Sequence, residues 1–145
     1  MVSLDKVREI AMAFEATEEA PHFEITSFRV KKKIFVTMNA SLQHITIRLS
    51  EVDQSVFCEY NSAIIYPVPN KWGKLGWTHV NLSLVEEELL TEVIRLSYCI
   101  VAPRKLAEKY DLAVEGLLVC NLFPNFLFDS PSFYLKIASC DIFYP

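Results

Sequence analysis

Leu4, Val7, Ile10, Ala11 and Phe14 recur at steps of three and four, which puts one apolar stripe on a first helix. Ser3 is placed to cap it, the helix should fade near Glu15 to Thr17, and Pro21 lies beyond. The period then shortens. FEITSFRV and KIFVTM flank Lys31 and Lys32, which predicts a hairpin over 23–38 with a basic tip, although its turn has no glycine and no Asn-Gly pair. QHITIRLS alternates cleanly, with Ile45, Ile47 and Leu49 on one side and His44, Thr46 and Arg48 on the other. Ser50 and Asp53 suit the start of a short helix over 51–60 that buries Val52, Val56 and Phe57.

AIIYPVP predicts a strand whose Pro67 and Pro69 remove ladder donors, which assigns it to a sheet edge or a strand end. NKWGKLGW follows and leads into a strand over 78–82. Ser83 with Glu86 forms a capping pattern for a long helix from about Val85 to Val101. Leu89, Leu90, Val93, Ile94, Ser97, Ile100 and Val101 would form its buried face, and Cys99 reads as a small buried hydrophobe. Pro103 can open a last helix, RKLAEKY. Strands in neighbouring runs, rather than alternating one by one with helices, give an α+β class. The expected architecture is a curved antiparallel sheet with the N-terminal helix and the C-terminal helices packed on it.

Composition changes this picture in one place. The chain has 145 residues, 52% of them hydrophobic and 22% charged, which suits a globular domain able to bury a core without disulfides. The organisation predicted is a domain over 1–111 and an apolar extension over 112–145, which holds half of the ten phenylalanines and a single basic residue, Lys136. That extension either packs as extra strand or loop, or is poorly folded, a partner-binding or membrane-touching segment, or a sequence artefact. It is too short and too broken by Pro124 and Pro131 for a membrane span. Four cysteines without CxxC spacing and an N-terminus without an apolar leader predict a reduced, cytoplasmic protein. The net charge of −4 argues against a strongly basic nucleic-acid binder, so any such contact needs a local basic patch.

Residues 64–110 resemble the MmcQ/YjbR family in the order of their features. Asn70 and Lys71 match its Asn-Lys pair, Trp77 its tryptophan, and Thr78, His79 and Val80 the strand that follows. Leu89 to Leu96 match its capped helix, Ser97 and Tyr98 a Ser-Tyr pair, and Val101 the helix end. LDKVREIAMAF and FRVKKKIFV are similar to the family's opening, so the resemblance spans about 3–110. Val68 and Gly76 lie where the family commonly carries histidines, and Trp72 to Gly76 lengthen the loop. The resemblance implies an α+β shape related to frataxin-like folds and a DNA-binding role through winged hairpins.

Two basic segments are the candidate sites. Arg29, Lys31, Lys32 and Lys33 at the hairpin tip could track phosphates, with salt-dependent affinity; lysines that merely shield a sheet edge are the ordinary alternative. Asn70, Lys71, Trp72 and Lys74 could pair phosphates while an indole stacks on a base. Trp77 is expected in the core and Trp72 outside it, with Gly73 and Gly76 supplying positive φ for the turn. Acids at Glu15, Glu18 and Glu19 and at Glu86 to Glu88 complete no ligand set, so no metal and no cofactor is expected. His22, His44 and His79 are scattered without a nucleophile, which predicts a non-enzymatic protein. The function expected is weak, salt-dependent nucleic-acid binding. The alternative is a module that binds a protein, for instance through 112–145, or a small ligand.

Overall fold

The computed structural model describes residues 1–110. A first helix, α1 (Leu4–Met12), precedes four strands: β1 (Thr17–His22), β2 (Ile25–Val30), β3 (Lys33–Asn39) and β4 (His44–Arg48). Helix α2 (Glu51–Tyr60), strand β5 (Ile65–Pro67), the single helical turn α3 (Lys71–Lys74) and strand β6 (Trp77–Asn81) come next. Helices α4 (Glu87–Val101) and α5 (Arg104–Ala107) close the described chain. The strands form one six-stranded sheet in the order β1-β2-β3-β4-β6-β5, antiparallel at every pairing. This is the α+β arrangement expected, a curved sheet with helices on one face. The boundary after residue 111 and the extension over 112–145 lie outside the described residues.

Ser3 caps α1, its Oγ accepting from the Lys6 N–H at 3.2 Å. Ser50 caps α2 by accepting from the Asp53 N–H at 3.1 Å, and its hydroxyl donates to the Asp53 carboxylate at 2.8 Å. Of the three apolar residues expected under α2, Phe57 is buried while Val52 and Val56 are half-buried. The cap predicted at Ser83 does not form. Asn81 accepts from the Ser83 N–H instead, Val85 drops into the core, and α4 begins at Glu87 behind an N-cap without a side-chain bond.

Strand β1 is a correction. TEEAPH lies where the first helix was expected to fade into a loop, yet all six residues pair with β2, from Thr17↔Val30 to His22↔Ile25. An edge strand is held by its backbone ladder and tolerates charge on both faces, so it leaves little alternation to read. The hairpin turn takes left-handed backbone without glycine, at Lys31 (φ 49°) and Lys32 (φ 68°). That pair of positive angles suits the right-handed twist of the flanking strands.

The core lies between the sheet and α1 and α4. Phe28, Val36, Ile45, Ile47 and Val80 point to it from the strands, and Val7, Leu90, Ile94 and Tyr98 meet them from the helices, all with no exposed surface. A bulge between β2 and β3 shifts the register at Phe28 and Arg29, so Phe35 and Val36, though adjacent, both turn inward. Phe35 then meets the Tyr98 ring edge-on at 5.4 Å between centroids, while Phe14 stacks on Tyr98 at 4.8 Å. The Tyr98 hydroxyl donates to the Glu15 carbonyl at 2.6 Å; burial pushes its pKa up to about 12.

Ser97 joins helix to sheet. Its hydroxyl donates to the Phe35 carbonyl at 2.6 Å and accepts from the Arg48 N–H at 2.9 Å. Tyr98 and Glu92 belong to the buried face of α4, whereas Ile100 and Cys99 are only half-buried. Both polar residues are tolerated because they are partnered: Tyr98 by Glu15, and Glu92 by the Arg95 guanidinium, which also donates to the Tyr110 carbonyl.

Candidate functional site

Strand direction decides which loops meet. Val30↔Lys33 closes the tip of the β2–β3 hairpin. Val36↔Ile47 carries the start of β3 alongside the end of β4, Arg48↔Trp77 sets the end of β4 beside the start of β6, and Pro67↔Thr78 brings the end of β5 to the same level. The lysine turn and the α3 loop therefore emerge from the same end of the sheet. They are three strand spacings apart, or about 14 Å.

The sequence-predicted residues are all at this end. Lys31, Lys32 and Lys33 are exposed at the tip. Arg29 is half-buried one step back on β2, where its Nε donates to Ser27 Oγ at 3.0 Å. Asn70 caps α3, its Oδ1 accepting from the Trp72 N–H at 2.8 Å. Lys71 and Lys74 are exposed, and the Lys71 ammonium stands 5.7 Å from the centre of the Trp72 ring, a cation–π distance. Trp72 is 50% exposed.

Sequence reasoning missed Arg48. It is exposed at the end of β4, the strand that lies between the two segments in the sheet order. Its polar position was legible in the alternation of β4, but only the pairing of β4 with β6 places it between the others. Acids share this end too: Glu18, opposite Arg29 on β1, Glu15, two residues before the Thr17 that pairs with Val30, and Glu51 and Asp53 in the first turn of α2. The opposite end holds Glu24 in the β1–β2 turn and Glu86, Glu87 and Glu88 at the start of α4, where Lys6 pairs with Glu87.

The two tryptophans and two glycines of the loop separate into different tasks. Trp77 is a correction: it is half-buried and belongs to the face opposite Val80, because alternate residues of β6 point apart. Gly76 does take positive φ, at 95°, and a Cβ there would lie 2.0 Å from the Leu49 carbonyl oxygen. Gly73 does not. It is helical, and it must be glycine because a Cβ would lie 2.1 Å from the Val68 carbonyl oxygen. Gln54 of α2 ties this loop down, its side-chain amide donating to the Gly73 carbonyl at 2.9 Å and to Thr78 Oγ1 at 3.0 Å. Beside it an open groove of about 610 Å³ is lined by Gln54, Pro67, Val68, Pro69, Lys71 and Lys74, among others.

His44 and His79, scattered in sequence, meet on the sheet with ring centroids 4.3 Å apart. Thr46 Oγ1 lies 2.8 Å from His79 Nδ1, and the Tyr66 ring is 5.4 Å away. Burial holds the pKa of both imidazoles below the ordinary value, and for His79 the neighbouring His44 adds to the effect. The acids weighed as metal ligands are partly engaged elsewhere: Glu15 with Lys109, Glu19 with Arg8, and Glu87 with Lys6. Among the described residues no three His, Cys, Asp or Glu side chains form a group able to hold a metal ion, and no helix is long and apolar enough to cross a membrane.

No curated protein matches the chain. The crystal structure of Deinococcus radiodurans protein DR2400, described by its domain DUF419, is similar with a TM-score of 0.64 at 18% identity, covering 76% of this chain and 88% of that one. At that identity the likeness shows the fold. Residues 12–100 match YjbR, and the chain belongs to the YjbR family.

Proposed function

We propose that the protein binds nucleic acid, weakly and in a salt-dependent way, through the basic end of its sheet. The observation that carries this reading is the shared end itself. Arg29, Lys31, Lys32, Lys33, Arg48, Lys71 and Lys74 make up half of the 14 lysines and arginines, and they gather where strand direction brings two loops together. Trp72 adds an exposed indole beside Lys71. Phosphates would release counterions as they pair with these cations, so affinity falls steeply as salt rises.

The test follows Trp72 fluorescence in a Trp77→Phe variant during titration with DNA or RNA. The expected result is saturable binding at low salt, with the salt slope reduced by about one for each phosphate-contacting lysine removed. An unchanged signal at low salt, or a Lys31/Lys32/Lys33→Ala variant that binds like the parent, overturns the reading.

The open groove beside α3 favours a second reading, a small-ligand or protein-binding module. Amide chemical shifts separate the two. Nucleic acid would move residues 29–33, 48 and 71–74 together, whereas a groove ligand would move only 67–74 and Gln54. Neither reading assigns a catalytic role.

A further inference from the structure

We propose that the nucleic acid taken by this protein is single-stranded, and that its bases stack on an aromatic platform on the sheet face opposite the helices. This rests on the nucleic-acid reading above and names the form of the ligand. On that face Tyr66 of β5 stands directly opposite His79 of β6, and Trp77 of β6 stands directly opposite Arg48 of β4. His44 completes the group through its contact with His79. Three neighbouring strands thus bring four rings and one guanidinium onto one surface.

The position of these rings is what calls for an explanation. Alternate residues of β4 and β6 point to the core and are aliphatic or Thr78; the residues between them need only be compatible with water. Threonine or lysine would satisfy that need. Instead Tyr66, Trp77, His79 and His44 are half-buried, with Tyr66 and His44 in ring contact with His79 and Trp77 two residues away on the same face of β6. Among the described residues no helix packs on this side; α1 and α4 pack on the other, where Phe14 and Tyr98 meet Phe35. The bond from Thr46 to His79 fixes one ring of the platform. Neutral imidazoles present a flat π-surface, and burial keeps both histidines toward the neutral form.

The platform is continuous with the basic end. Arg48 and Trp77 sit at the level from which the lysine turn and α3 emerge, so a strand whose phosphates lie along Lys31 to Lys33, Arg48 and Lys74 can turn its bases down the sheet. A duplex cannot, because its bases are stacked on each other and their faces are closed. Sheet faces with exposed aromatic rings read single strands in this way.

The experiment compares a fluorescein-labelled 12-nucleotide single strand with its matched duplex by anisotropy at low salt. Single strand is expected to bind at least about tenfold more tightly, and Tyr66→Ala and His79→Ala are each expected to weaken it by about tenfold while leaving duplex binding alone. Tyr66→Leu and His79→Gln serve as milder variants should alanine disturb the fold, which circular dichroism reports. Lys31/Lys32/Lys33→Ala should weaken both ligands. Equal or tighter duplex binding, or single-strand binding indifferent to Tyr66 and His79, overturns the platform while lysine-sensitive binding keeps the basic end in place. Absence of binding to either ligand overturns both.

Discussion

The two faces of the sheet are built from the same strands and obey different demands. On β4 and β6, Ile45, Ile47 and Val80 face the helices and are fully buried, whereas His44, Thr46 and His79 are half-buried on the other side. The helix-facing set is dictated by folding: hydrophobic area must leave water, and every polar group that goes with it must be partnered. Tyr98 meets that condition through one bond to a backbone atom and Ser97 through two. The opposite face is under no such demand, so its rings and its basic end are free to answer to a ligand. Substitutions should therefore split into those that cost stability and those that cost binding.

The largest expected loss of stability comes from Tyr98→Ala. It removes a fully buried ring that touches Phe14 and Phe35 and leaves a cavity between α1, α4 and the sheet, so the cost should be about 3–5 kcal/mol. Urea unfolding checks it. A change under about 1 kcal/mol would mean that the helix-facing layer is not the folding core described here.

Ser97→Ala comes next. It deletes no apolar contact of consequence, yet it leaves the Phe35 carbonyl and the Arg48 N–H short of a partner inside the fold. The expected cost is about 1–3 kcal/mol. Because Arg48 belongs to the basic end, the same variant should also reduce the salt slope of binding if Ser97 holds that strand end in place. His79→Gln, by contrast, keeps a polar side chain at a half-buried position and should cost about 1 kcal/mol or less in urea stability.

The sequence made the helix-facing layer legible because burial imposes a period. The stripe of α1, the alternation of β4 and the proline-marked edge strand β5 all stand where the pattern puts them. It failed where backbone alone decides. Strand β1 is held by its ladder and carries Glu18, Glu19 and Pro21, so its residues look like loop. The bulge that turns both Phe35 and Val36 inward breaks alternation. The basic segments were visible as lysines, and Trp72 as the exposed indole. Arg48 and the meeting of His44 with His79 and Tyr66 were not, because cross-strand register is a property of pairing rather than of any local stretch.

The lysine turn inverts the usual relation between the two effects. Lys31 and Lys32 both occupy left-handed backbone, which costs a side-chain-bearing residue about 1 kcal/mol each, and Asn-Gly is preferred there. Replacing the pair by Asn-Gly should raise stability by about 1 kcal/mol and weaken nucleic-acid binding. A variant that gains stability and binds unchanged would reduce the tip to an ordinary turn.

The smallest effect is a pH dependence, and its sign is fixed by the imidazoles. His44 and His79 have folded pKa values below 6.5, chiefly from burial, so between those values and 6.5 the unfolded chain binds more protons than the native one. Their contribution to stability is complete above pH 6.5 and is lost as pH falls through the folded values. Asp53 acts in the opposite sense, since burial raises its carboxyl pKa and protonation then favours the folded form. The test must therefore be a difference. Thermal melts at pH 7.5 and 5.5 should show a larger drop for the parent than for a His44→Gln/His79→Gln variant, which keeps Asp53 unchanged. Equal drops would mean that the two rings are as well solvated as free histidines, and a platform that open would hold a base less firmly than the pairing of Tyr66 with His79 suggests.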